Sequence, residues 1–183
     1  MTTPAATDPS TATSTDPERA DLLDVLDKHR GFLRFTVREL TDEQARQRTT
    51  VSELTLGGLI KHVATVEETW ARFIVEGPAA QPDYSTMTEE DFANWANDFR
   101  LLPEETLDGV LAGYAEIARR TDELVATVPD LNASHPLPEA PWFAPGGRWT
   151  ARRTLMHIIA ETAQHAGHAD IIRESLDGAK TMG

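Results

Sequence analysis

Three side chains capable of metal or proton chemistry recur four residues apart near the end of the sequence. They are His157, Glu161 and His165, in the run RRTLMHIIAETAQHAGHADIIRESLD from Arg152 to Asp177. Half of the six histidines lie in this run, His168 being the third. Residues four apart on a helix stand one turn apart on one face, where an imidazole and a carboxylate can share a metal ion. The same pair also makes an ordinary solvated contact, with a protonated His165 held by Glu161 and no metal at all. Spacing alone leaves both readings open. Cysteine is absent, so thiolate metal sites and an internal thiol nucleophile are excluded, and any thiol chemistry must use a thiol from outside.

The elements that position these groups read as helices. Asp16 before Pro17 is a helix start, and Leu22, Leu26, Leu33, Val37 and Leu40 carry an apolar stripe to about Leu40. His29 shares that stripe without a partner at ligand spacing and is assigned to the packing. Thr41 opens a short turn. Thr55 caps a second long helix through Leu59, Val63, Val66, Trp70, Phe73 and Ile74, ended by Gly77 and Pro78. Residues 78 to 106 form a long crossover with a short helix near Thr88 to Asn97. Thr106 begins a third helix, stopped by Pro129. The segment from Pro129 to Thr150 carries five of the eleven prolines and is expected to be an irregular loop or lid, with Trp142, Phe143 and Trp149 packing over something apolar. The fourth helix then runs to Gly178. The expected fold is all-α, a four-helix bundle with a long crossover between helices two and three.

Composition narrows the partners. With 17 basic against 30 acidic residues the formal charge is −13. That is the opposite of a nucleic-acid footprint, and it leaves no polybasic patch for anionic lipid. No apolar run approaches the roughly 20 residues needed to span a bilayer. Residues 1–16, rich in Thr, Ala and Pro, are expected to be a disordered tail before a single domain over 17–183. The tail lacks a signal-peptide pattern, which makes a cytoplasmic protein the expectation.

A helical wheel ranks the candidates against the apolar arc of the fourth helix. His165 lies about 50° from its centre, Glu161 about 90°, His168 about 110° and His157 about 130°. His62, the histidine of helix two, lies about 75° from the centre of its own arc. His62, Glu161 and His165 together offer two imidazoles and a carboxylate, a set that leaves a tetrahedral metal one open position. The same set describes the non-haem iron triad, though helical EXXXH with a distant histidine is not its usual setting.

The passages LTDEQARQRTTVSELTLGGLIKHVATVEETWARFIVEG, from Leu40 to Gly77, and RWTARRTLMHIIAETAQHAGHADIIRESLDG, from Arg148 to Gly178, resemble the DinB-like superfamily. They are similar in particular to its actinobacterial branch of mycothiol-dependent maleylpyruvate isomerases and S-transferases. The resemblance implies a divalent metal, Zn²⁺ first and Ni²⁺ or Fe²⁺ as alternatives, held by His62, Glu161 and His165. It implies as substrates a mycothiol-like thiol and a small electrophile. The isomerases carry a further C-terminal domain and this sequence stops at Gly183, so thiol conjugation is expected rather than isomerisation. His168 is then a candidate proton carrier for the thiol or a contact behind the ligands. Arg152 and Arg153 are candidates to meet anionic groups of the thiol or electrophile. A homodimer is a further expectation. The competing reading is a stress-response protein that binds metal or ligand without turnover.

Overall fold

The computed structural model describes residues 16–84 and 86–181. The expected tail therefore lies outside the described residues, except for Asp16, whose carboxylate accepts from the Glu18 N–H and starts α1 (Pro17–Thr36). Five further helices begin on threonine. Thr41 caps α2 (Asp42–Arg46), Thr55 caps α3 (Leu56–Glu76), Thr88 caps α4 (Glu89–Asn97) and Thr106 caps α5 (Leu107–Thr127). In each the hydroxyl accepts a backbone N–H that the first turn leaves without a partner. Thr150 does the same for α6 (Ala151–Asp177), which Gly178 ends in the left-handed conformation at φ 80°. The chain is mostly helical, as expected of an all-α protein.

Two expectations need correction. The first helix stops at Thr36 rather than near Leu40, because the chain turns at Glu39, where φ is 60°. Arg173 of α6 fixes that end by donating from Nη1 to the carbonyls of Thr36 and Arg38, 2.8 Å each. The proline-rich segment is not wholly irregular either. β1 (Ser134–Pro136) pairs antiparallel with β2 (Arg148–Thr150), His135 opposite Trp149. The ladder is too short for its alternation to stand out in sequence, and Pro136 is tolerated at its end.

The four long helices pack on one another, α1 on α6 and α5, and α3 on α5 and α6. Their buried residues fall into two apolar clusters. One gathers Leu33, Leu59, Val63, Tyr114, Ala166 and Ile172; the other gathers Leu26, Trp70, Phe73, Val125, Leu155 and Ile158. Along each helix, polar residues stand where one cluster gives way to the other: Arg30, Glu67, Thr121 and Thr162, all buried. Arg30 answers this burial with a forked pair to Glu67, at 2.5 and 3.1 Å, and a third bond to Asp122 at 2.7 Å. One guanidinium thus joins α1, α3 and α5 at mid-height. Among the described residues no helix is long and apolar enough to cross a membrane.

Candidate functional site

Glycine opens the site. Gly57 and Gly58 sit in the first turn of α3, and a Cβ on Gly58 would lie 1.9 Å from the carbonyl oxygen of Phe99. The crossover can therefore run directly over α3 only because that face has no side chain. Its approach lays the Phe99 ring on the His62 ring, centroids 3.9 Å apart and planes 22° from parallel. His62 is thereby buried on one side and turned on the other towards α6, where its ring meets His165 at 4.8 Å, edge to face.

On α6 the spacing of four does what a helical face requires. Glu161 presents Oε2 to His165 Nε2 at 3.5 Å and Oε1 to His157 Nε2 at 3.8 Å. His62, Glu161 and His165 each offer a donor atom, and the three lie within 4.8 Å of one another. Small side-chain rotations would bring all three to a common ion. Behind the group, His168 sets its Nδ1 3.4 Å from Nδ1 of His165. That contact occupies the far nitrogen of His165 and leaves Nε2 facing Glu161.

The protonation states suit a cation. Burial pushes His62 down to about 4, helped by the charge of His165 and opposed by that of Glu161. The bond from His165 holds the Glu161 carboxyl below its usual range against the burial that would raise it, with the charges of His157, His165 and His62 acting the same way. Burial lowers His157 as well. At neutral pH the cluster therefore combines an ionised carboxylate at Glu161 with an imidazole at His62 that burial keeps neutral, the state a metal requires of these two ligands. On this donor chemistry the residues fit a divalent ion.

The cluster opens on a cleft of about 910 Å³ whose walls include His62, Glu161, His157, Trp70, Trp142 and Phe143. His157 packs edge to face against the stacked pair Trp70 and Trp149, ring centroids 5.0 and 4.9 Å away. It is therefore part of the cleft wall and in contact with Glu161, more central than an orientation about 130° off the arc suggests. The other sequence-derived candidates stand apart. Arg152 is taken up by a paired contact with Glu18 and a 2.6 Å bond to Asn132, and it does not reach the cleft. Arg153 lies over Trp149 at 4.1 Å, behind the wall. His168 touches His165 but is not on the cleft lining. Phe99 was missed entirely, and the Gly57–Gly58 pair inside a helix was its one sequence signal.

A family model described as Mycothiol-S-transferase matches residues 21–178. No curated protein matches the chain.

Proposed function

Since the chain belongs to the mycothiol-S-transferase family, we propose that it joins the sulfur of an external, mycothiol-type thiol to a small carbon electrophile. We further propose that residues 17–183 form a single DinB-like four-helix bundle, with His62, Glu161 and His165 as a metal-binding set. The observation that carries this reading is the convergence of those three donors, from α3 and α6, with His62 and Glu161 on the wall of a cleft large enough for two small substrates. The absence of cysteine supports it, since the nucleophile has to enter from solution.

A divalent cation in that set, zinc in the simplest case, would supply positive charge that keeps a thiol sulfur ionised at neutral pH. The chain's own residues do the rest. Glu161 neutralises part of that charge, and Phe99 closes one side of His62 against water. His157 stands on the cleft wall, kept unprotonated by burial and facing Glu161, so it is placed to take the proton when the thiol S–H bond breaks. The sulfur then bonds to the electrophilic carbon as the leaving group departs with its electron pair. The resulting imidazolium lies against a carboxylate, which stabilises it. His168 has a positioning role, through its contact with the far nitrogen of His165.

The test is direct. Protein purified without a metal-affinity tag should hold about one divalent ion per chain and consume mycothiol with a chromogenic electrophile. His165→Ala and Glu161→Ala should lose both properties. Absence of stoichiometric metal, or variants that consume thiol at the wild-type rate, would overturn the proposal. Metal without thiol consumption would favour the non-catalytic binding protein.

A further inference from the structure

Beyond the ligand cluster, the cleft is walled by aromatic rings from three separate segments. Trp70 of α3 meets Phe143 edge to face at 6.2 Å, Phe143 meets Trp142 at 6.1 Å, and Trp142 meets Tyr84 of the crossover at 4.9 Å. Tyr84 in turn stands 6.4 Å from Trp95 of α4. These five residues all line the cleft, and two of them are left open: Trp142 is 55% exposed and Trp95 40%. Large aromatic faces directed into a cleft and not covered by the chain mark a place where something flat and apolar binds.

The charge on the same walls is predominantly negative. Apart from the proposed ligands, Asp83, Asp91 and Asp98 line the cleft, and the backbone N–H and hydroxyl of Thr88 hold the Asp91 carboxylate ionised. Among the described lining residues Arg72 is the single Lys or Arg, and Glu76 already takes its guanidinium in two bonds of 2.7 and 3.2 Å. An anionic ligand would therefore enter between carboxylates with no unengaged arginine to meet it. A ring with positive charge would gain from both the carboxylates and the indole faces.

Resting on the S-transferase reading, the geometry points to a specific co-substrate class: a flat aromatic electrophile that carries no negative charge, a cationic ring being held best. It occupies the end of the cleft formed by Trp142, Tyr84 and Trp95, with its reactive carbon turned towards Glu161 and His62. Anionic aromatics are rejected by the walls, before any chemistry.

Equilibrium dialysis tests this without requiring turnover. Three flat bicyclic probes, N-methylquinolinium, 2-naphthol and naphthalene-2-sulfonate, are dialysed against the purified protein at pH 7.5 and low salt. The cation should bind at least about tenfold more tightly than the anion, with the neutral ring between them. The gap should narrow as salt is raised and in Asp98→Asn, while Trp142→Ala should weaken all three. Circular dichroism checks that each variant is folded, and the wild-type series decides the matter even where a variant is not. Equal or tighter binding of the sulfonate, or no measurable binding of any probe, would overturn the inference. If the charge order is found but no electrophile is conjugated, the transferase reading fails while the charge selection stands.

Discussion

Replacing Glu67 with alanine is expected to be among the most damaging single changes that leave the metal ligands intact. The side chains of Arg30 and Glu67 are 1% and 0% exposed, and two of the three hydrogen bonds of the guanidinium go to that carboxylate. Removing one member of such a pair leaves an uncompensated buried charge, which costs about 3–5 kcal/mol. Asp122 remains on Nη1 with a side chain 45% exposed, able to bring some water with it, so the lower end, ~3 kcal/mol, is expected. For a chain of this size that corresponds to a fall in Tm of about 10 °C. The double replacement Arg30→Met with Glu67→Leu should by contrast be neutral or stabilising, because it removes both desolvation costs together and joins the two apolar clusters on either side. The assay is urea unfolding followed at 222 nm for the wild type, each single variant and the double variant, with unchanged m-values as the condition for comparing midpoints. A loss below about 1 kcal/mol for Glu67→Ala, or a double variant as unstable as the single one, would refute the view that this pair is a mutually dependent buried charge. Glu67 lies little more than a turn after His62 on α3, so the single variant should also bind metal less tightly, a separate readout on the site.

His157→Ala should retain metal, measured by mass spectrometry of the acid-digested protein, while slowing thiol consumption by about 10²-fold or more; loss of the metal would make His157 a ligand instead. Gly58→Ala forces a Cβ into the Phe99 carbonyl and is expected to cost at least about 1–3 kcal/mol by overpacking, read as a lower urea midpoint. Because that clash lies in backbone, a neutral result would show that the crossover does not sit on α3. Acid should destabilise the metal-free protein from near pH 6.5 downwards. The unfolded chain protonates its histidine near 6.5, whereas the folded one keeps His62 neutral down to about 4, so the unfolded state binds the extra proton as pH falls. The effect of His62 is at most about 3 kcal/mol, reduced by the solvent that reaches the ring from the cleft. Below the ordinary Glu range, the ionised Glu161 adds a loss of the same sign. Thermal melts from pH 7.5 to 4 that show no decline, or a decline equal in His62→Phe, would exclude the buried histidine as its source.

The sequence showed the helix starts clearly because each depends on a local event. A threonine hydroxyl meets a backbone N–H three residues on, as at Thr55, Thr106 and Thr150, and both partners stand close together in the sequence. The end of α1 was hidden because it depends on Arg173, whose bonds to Thr36 and Arg38 join residues 137 and 135 positions apart in the sequence. The contacts of Arg152 were hidden for the same reason: its partners Glu18 and Asn132 are remote in sequence, and an arginine in a first turn carries no mark of them.

The site shows a more general limit. The wheel ranks Glu161 and His165 as the most inward candidates of α6 because their surroundings are other helices, against which an apolar arc measures direction. It ranked His157 last because that ring points away from the arc. Yet the ring is half-buried against the stacked pair Trp70 and Trp149, and Trp149 arrives on a three-residue strand. The wheel therefore describes what faces the helices, not what a loop later covers. His62 shows the converse: its wheel angle placed it at a cleft edge, and the ring that closes it, Phe99, arrives on the crossover. Both coverings come from the two long connections of the chain, and the proposed chemistry lies where those connections meet the helices. Mutations in the connections, at Phe99 or Trp149, should therefore change the environment of the site while leaving its three candidate ligands and the helices that carry them in place.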